Sequence, residues 1–324
     1  MKAIIQTDPE NPRSLEWTET DTPVPGEGEV LVRVTASAVN RADILQARGH
    51  YPPPAGESGI LGLECAGVIE EIPEGVGAGG WQVGDEVLCL LAGGGYAEYV
   101  AVPVGQMMAV PEGLTPQEAV ALPEVACTTW SNLVMVAGLQ MGDVVLIHGG
   151  AGGIGTFAIQ LCKRLGATVA VTAGSAAKLE RCRELGADIL INYREEEFEE
   201  VMAERGGADV ILDIMGAKYL DRNVKALAKD GRLVIIGLQG GVKGDLTIAR
   251  LLNKRGSIHA TGLRYRDRAD KARIVADTED NVWPMVAEGL IRPTVHETMP
   301  LAEAARAHEL LDSGEVTGKI VLVP

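Results

Sequence analysis

The sequence predicts an α/β chain in which a doubly wound parallel sheet follows a compact β-barrel-like unit. Three observations carry that expectation. The middle of the chain holds six nearly continuous apolar runs separated by helix-length segments, a glycine-rich turn follows the first of them, and short alternating segments crowd the stretch before. A length of 324 residues allows two domains. With 46% hydrophobic and 23% charged residues, the composition is that of a folded globular chain and excludes global disorder. The 40 glycines follow no three-residue period, which excludes a collagen-like chain.

In chain order, GEVLVRVTASAVN alternates. Val30, Val32, Val34 and Ala36 point one way and Arg33, Thr35 and Ser37 the other, as in a half-buried strand. Further strands are expected at Glu64–Glu71, 85–90 and 96–102, divided by Pro52-Pro53-Pro54, the glycines of 77–80, Gly84-Asp85 and Gly93-Gly94-Gly95. Near Thr115 the pattern turns helical, with Thr115 as N-cap and Pro116 at the first helical position. The apolar runs are VVLIH (144–148), ATVAVTA (167–173), ADILINY (187–193), ADVILDIM (208–215), RLVIIG (232–237) and SIHATGL (257–263). Such runs with helices between them indicate a parallel sheet covered on both faces. The tail reads as helices over 266–290 and 301–313, then a strand, KIVLV, which must join an existing sheet. The expected division is 1–122 plus 266–324 for one domain and 123–265 for the other.

Charge narrows the partners. Against 29 basic residues stand 45 acidic ones, a net charge of −16, so a nucleic acid is not the expected partner. No uninterrupted apolar run has the length of a membrane span, and MKAIIQTDPE lacks the pattern of a signal peptide. Five cysteines, odd in number and without a CxxC spacing, argue against a disulfide framework or a structural zinc site. Buried free thiols in a reducing cytoplasm are expected.

The strongest local signal is Gly149-Gly150-Ala151-Gly152-Gly153-Ile154-Gly155, directly after VVLIH and opening a helix. Gly150, Gly152 and Gly155 fit G-x-G-x-x-G. One glycine allows the tight turn, one the approach of a pyrophosphate and one the packing of helix on strand. The phosphates then meet the free N–H groups of the helix N-terminus. Such a turn with Gly153 and Ile154 between its glycines marks a dinucleotide site. The second apolar run carries no acid to hold a ribose 2′-hydroxyl; it ends Ala173-Gly174-Ser175. Ser175 reads as the N-cap of the next helix, and Lys178 falls in its first turn, where a cation opposes the helix dipole. A bound 2′-phosphate reverses the sign of that interaction, which points to NADPH held by Ser175 and Lys178; the alternative is a solvated surface lysine.

These segments, together with NRADILQARGHYPPPAG (40–56), ILGLECAGVI (60–69), VGDEVLCLLAGGGYAEY (83–99) and GKIVL (318–322), resemble the medium-chain dehydrogenase/reductase superfamily. Within it the chain is similar to the zinc-free quinone oxidoreductases, especially the p53-inducible branch. The resemblance runs nearly end to end. It implies a GroES-like catalytic domain, a Rossmann domain binding NADPH, and a homodimer paired through the strand SIHATGL. Where alcohol dehydrogenases of the superfamily place zinc-ligand Cys and His, this chain has about Asn40 and Leu63, and Glu64 alone cannot make a catalytic zinc site. The four-cysteine structural lobe is missing too, so no metal is expected.

Without a Lewis acid the simplest task is hydride transfer to an acceptor already electrophilic, a quinone or conjugated enone. The resemblance places Asn40 beside the nicotinamide and Tyr51 in the acceptor pocket, where Tyr51 can hydrogen-bond the oxygen that gains charge; the plainer role for Tyr51 is packing before the prolines. Asp43 reads equally as a capping carboxylate. Leu45 stands where some relatives have a tyrosine, against a two-tyrosine relay. The resemblance puts Thr128 at the helix facing the nicotinamide, Tyr193 near the adenosine phosphate or in the core, and Lys319 at the cofactor or in solvent. Cys127 reads as a buried small hydrophobe and His148 as scaffold. The expected activity is a zinc-independent NADPH:quinone oxidoreductase. The rivals are an enone or alkenal double-bond reductase and a largely non-catalytic NADPH-binding sensor.

Overall fold

The computed structural model describes residues 1–324 and divides them into two compact units, Met1–Cys127 with Leu263–Pro324, and Thr128–Gly262. The junctions differ slightly from 122/123 and 265/266. The helix Pro123–Thr129 begins inside the first unit, and Arg264 already bonds to Ala92 and Tyr51 there.

The first unit opens with β1 (Lys2–Gln6), β2 (Leu15–Glu19), β3 (Glu29–Ala38), β4 (Glu64–Glu71), β5 (Glu86–Leu90), β6 (Tyr99–Pro103) and β7 (Met107–Ala109). Val30, Val32, Val34 and Ala36 of β3 are buried and Arg33 is exposed, as the alternation requires. Ser37, expected on the wet face, is buried instead. Its hydroxyl donates to the Glu64 carbonyl at 2.7 Å, and strands flank β3 on both sides at that end. Thr115 caps the helix Pro116–Ala119 reciprocally with Glu118, whose N–H donates to Thr115 Oγ1 at 3.3 Å and whose carboxylate accepts from Thr115 N at 2.9 Å. By length and composition the stretch Pro116–Val136 could cross a bilayer, but 78% of its apolar window is buried, as in a core helix.

The second unit contains β8 (Val144–His148), β9 (Thr168–Ala173), β10 (Ile189–Asn192), β11 (Ala208–Asp213), β12 (Leu227–Ile235) and β13 (Ser257–Ala260). They form one parallel sheet in the order β10-β9-β8-β11-β12-β13, the doubly wound order in which the chain reverses beside β8. Alternate residues enter two different cores. Val145, Ile147, Val169 and Val171 pack on one face, Leu146, Ala170, Ile211 and Leu233 on the other. This two-sided burial is why the strands read as continuous apolar runs. β13 is an edge strand, preceded by the exposed apolar residues Leu238, Val242, Ile248 and Leu252.

The tail returns to the first unit. β14 (Val295–Pro300) and β15 (Lys319–Val323) pair in parallel, and β15 joins β3 antiparallel at Val321 and Ala38, so KIVLV does join an existing sheet. This places Lys319, at the start of β15, on the sheet that carries Glu64 on β4.

Candidate functional site

In the second unit the glycine turn is shaped by steric exclusion. Gly149 has a left-handed backbone (φ 72°), and a Cβ there would stand 2.6 Å from Ile214 Cδ1. A Cβ on Gly150 would meet Val171 at 2.8 Å, and one on Gly155 would overlap the Gly149 carbonyl. On Gly152 it would meet nothing nearer than the Gly149 carbonyl oxygen at 3.5 Å. Gly150 and Gly155 thus close the turn against β9 and its own backbone. Gly152, the N-cap of the helix Gly153–Arg164, leaves an open approach to that helix's N-terminus. The residues fit a dinucleotide pyrophosphate.

Behind the turn, His148 is held by Thr172 Oγ1 at 3.1 Å and Asn223 Oδ1 at 2.7 Å and packs edge-on against Phe198 and Tyr219. Burial pushes its pKa down to about 4, so it is a neutral scaffold residue. Thr172 also accepts from Gly149 N at 3.3 Å, which ties this scaffold to the turn.

At the end of β9, Ser175 caps the helix Ala176–Glu184 by accepting from Lys178 N at 3.4 Å. A Cβ on Gly174 would stand 2.4 Å from the Tyr193 hydroxyl, and Arg194 Nε lies 3.3 Å from the same point. Tyr193 is 46% exposed and not in the core. Gly174, Ser175, Lys178, Tyr193 and Arg194 therefore gather at one edge of the sheet. Sequence reasoning missed Arg194, although its position directly after Tyr193 at the end of the third run was a usable signal. Thr128 is buried, and its carbonyl accepts from Asn132 Nδ2 at 2.8 Å where the helix widens into the π-helical turns of Trp130–Val136.

The first unit contains a buried polar network. Lys319 Nζ lies 2.5 Å from both Glu64 Oε1 and Asn40 Oδ1, and Asn40 Nδ2 donates to Glu64 Oε1 at 2.9 Å. Glu64 Oε2 accepts from Glu124 N at 2.9 Å. Lys319 is 4% exposed and Glu64 0%, so the lysine is an internal ion pair and not a solvated residue beside a turn. This corner does not fit a zinc ion. An ammonium occupies the carboxylate, Leu63 is a buried side chain with no donor atom, and no group of three His, Cys, Asp or Glu side chains converges anywhere in the chain.

Next to it, Asp43 caps the helix Arg41–Ala47, accepting from Asn40 N at 2.7 Å, Gly62 N at 3.1 Å and Tyr96 Oη at 3.2 Å. Burial raises its pKa to about 6, against the lowering effect of the Asn40 and Gly62 amides and of Lys319. Tyr96 also meets His308 Nε2 at 3.3 Å, and burial lowers His308 to about 4. Asp43 is thus a capping carboxylate.

Tyr51 is half-buried, and its hydroxyl has no hydrogen-bond partner in the protein. The Arg264 guanidinium lies 5.2 Å from its ring centroid, and the Tyr265 ring stands edge-on at 5.3 Å. Arg264 donates to Ala92 O at 2.7 Å, Tyr51 O at 2.9 Å and Gln46 Oε1 at 2.6 Å, while Tyr265 Oη donates to Pro52 O at 2.8 Å. Burial raises the Tyr51 pKa to about 12, outweighing the lowering effect of Arg264. Neither Arg264 nor Tyr265 was expected, because the run Arg264-Tyr265-Arg266 reads as a connection after the last parallel strand. All five cysteines are buried free thiols, Cys127 among them.

Comparisons with known proteins follow from this geometry. Two family models match: the alcohol dehydrogenase GroES-like domain over residues 26–112 and the zinc-binding dehydrogenase over 153–277. A 2-haloacrylate reductase of a Burkholderia species is 31% identical, with 97% of this chain and 96% of that protein covered. Quinone oxidoreductase 1 of Escherichia coli is 29% identical over 98% of this chain and 96% of its own length. A mycocerosic acid synthase-like polyketide synthase of Mycobacterium tuberculosis is 32% identical, and the chain spans only 15% of it. Among solved structures, a mycobacterial protein complexed with NADPH superposes with a TM-score of 0.89 at 29% identity, covering 100% of both chains. The JamJ enoyl reductase superposes with 0.88 at 27% identity, covering 99% of this chain and 98% of that one.

Proposed function

We propose, from the fact that this chain belongs to the medium-chain dehydrogenase/reductase superfamily, that it is a zinc-independent NADPH:quinone oxidoreductase akin to the p53-inducible branch. Its units are the GroES-like catalytic domain and the Rossmann domain of that superfamily. The observation that carries the reading is the unpartnered Tyr51 hydroxyl, held as a phenol next to the Arg264 charge.

In the second unit, Gly150, Gly152, Gly153, Ile154 and Gly155 hold the cofactor's pyrophosphate on a helix N-terminus. Gly174, Ser175, Lys178, Tyr193 and Arg194 receive the 2′-phosphate, and Thr128 lies at the helix that faces the nicotinamide. When bound, NADPH supplies the hydride, and a quinone takes up the hydride and a proton to become a hydroquinone. In the first unit, Tyr51 donates a hydrogen bond to the acceptor oxygen as negative charge develops there. A pKa near 12 keeps that proton on the phenol at neutral pH, so the group stabilises charge as a donor. In the first unit Asn40 is fixed by Lys319 and Glu64. We also place the protein in the cytoplasm, in keeping with its five free thiols, and as a homodimer paired through the edge strand β13.

One specific observation favours a second reading, a conjugated double-bond reductase: the 2-haloacrylate reductase matches over nearly its whole length and the enoyl reductase shares the fold. NADPH oxidation with an ortho-quinone and a small conjugated enal, offered in parallel to chelator-treated protein, separates the two. Turnover of the quinone alone is the expected result. Turnover of the enal alone establishes the double-bond reductase, and NADPH binding with neither turnover leaves the sensor.

A further inference from the structure

The turn before the helix Gly153–Arg164 spends some of its backbone amides inside the protein and leaves others over. Gly152 N donates to Gly149 O at 3.0 Å. Gly149 N and Gly150 N both go to one residue of β9: the first donates to Thr172 Oγ1 at 3.3 Å and the second to Thr172 O at 3.0 Å. The amides of Ala151, Gly153 and Ile154 have no acceptor in the protein. These are the donors that remain for an anion at the helix N-terminus.

The Thr172 hydroxyl is itself oriented from behind. Thr172 stands opposite His148 in the register of β8 and β9. Burial keeps the His148 ring neutral, with a pKa near 4, so one of its nitrogens carries a proton and the other does not. Nε2 faces an acceptor, Asn223 Oδ1, at 2.7 Å, so the proton sits there. Nδ1 is left with a lone pair 3.1 Å from Thr172 Oγ1, and the hydroxyl donates to it. The oxygen's own lone pairs are then free for the Gly149 amide. The chain runs one way, from Gly149 N–H to Thr172, from Thr172 O–H to His148, and from His148 N–H to Asn223. All three side chains are buried, so none can exchange its partner for water. Gly149 is the pivot of the turn. Its backbone is left-handed, its carbonyl takes the Gly152 amide, and Ile214 fills the space a Cβ would need.

We propose that Thr172, oriented by His148 and Asn223, is the positioning residue of the cofactor turn: it withdraws the Gly149 and Gly150 amides from a bound phosphate and reserves those of Ala151, Gly153 and Ile154 for it. A side chain without a hydroxyl keeps the Gly150 bond and loses the Gly149 bond, which frees the pivot. The inference rests on the reading of this turn as a dinucleotide pyrophosphate site.

The test compares two unreactive ligands by isothermal titration calorimetry. ADP-ribose 2′-phosphate carries the pyrophosphate and adenosine 2′-phosphate does not. Wild-type protein is expected to bind the first more tightly. Thr172→Val has the same shape without the hydroxyl. It should weaken ADP-ribose 2′-phosphate about tenfold, the scale of one hydrogen bond lost with its donor left unpaired, and leave adenosine 2′-phosphate unchanged. Thr172→Ser keeps the hydroxyl and should restore most of the affinity. Equal weakening of both ligands in Thr172→Val overturns the proposal, because a general loosening of β9 acts on both. No weakening of either, or a serine variant as weak as the valine one, overturns it too. Nitrogen-15 NMR of the His148 ring reads the chain without any ligand. The Nε2–H tautomer is expected, with Nδ1 losing its hydrogen-bonded shift in Thr172→Val; an Nδ1–H tautomer overturns the chain. Equal binding of the two ligands by wild type, alongside the expected NMR result, contradicts the pyrophosphate reading and not the hydrogen-bond chain.

Discussion

Replacing Lys319 by methionine removes the one positive charge within hydrogen-bonding distance of the Glu64 carboxylate, in a setting where Glu64 is 0% and Lys319 4% exposed. The carboxylate keeps Asn40 Nδ2 and Glu124 N as donors but loses its counter-ion. Breaking a buried pair from one side costs about 3–5 kcal/mol, because a charge is left desolvated and uncompensated. At roughly 2–4 °C per kcal/mol for a unit of this size, the melting temperature should fall by about 6–20 °C. Calorimetry on wild type, Lys319→Met, Glu64→Gln and the double variant measures the coupling directly. The double variant should recover at least about 2 kcal/mol relative to the sum of the singles. A drop below about 1 kcal/mol for Lys319→Met, or strict additivity, refutes the claim that this corner is a closed ion-pair network.

Three further outcomes are expected. Burial raises Asp43 to about 6 and lowers His308 to about 4. The first makes stability fall as pH rises from about 4 to 6, the second makes it rise over nearly the same window, and the two nearly cancel. Asp213 and His148 oppose each other in the same way in the second unit. His308→Gln should therefore unmask a loss of about 3 kcal/mol between pH 4 and 6 in urea titrations, against a flat wild-type profile. Gly155→Ala drives a methyl group into the Gly149 carbonyl and should lower stability and weaken NADPH binding together, both readable in a thermal melt with and without cofactor. Lys178→Ala and Arg194→Ala should each shift the ratio of NADPH to NADH affinity toward NADH by about tenfold or more, measured by fluorescence titration, and leave NADH affinity unchanged.

The parallel sheet was legible because burial on two faces leaves a plain trace: runs such as VVLIH send Leu146 one way and Val145 and Ile147 the other, all apolar. The glycine turn was legible because its G-x-G-x-x-G spacing directly follows an apolar run, and Ser175 because capping is local. Contacts between distant segments were not. Lys319 meets Glu64 across 255 positions and Arg264 reaches Tyr51 across 213, and no spacing rule connects them. Ser37 followed the alternation of a half-wet strand and was buried because neighbouring strands closed over it. Tyr265 restores a second tyrosine beside Tyr51, although the position of Leu45 had argued against one. That second ring comes from the tail of the chain, where a sequence motif for the first domain cannot see it.

The most direct test of the central claim, that the Tyr51 phenol assists a metal-independent reduction, is quinone turnover by chelator-treated wild type and Tyr51→Phe under saturating NADPH. The account predicts full activity of the chelated wild type and a fall in kcat/KM of roughly 100-fold in Tyr51→Phe, with NADPH affinity unchanged. Undiminished turnover in Tyr51→Phe, or activity that returns only when zinc is restored, would contradict it.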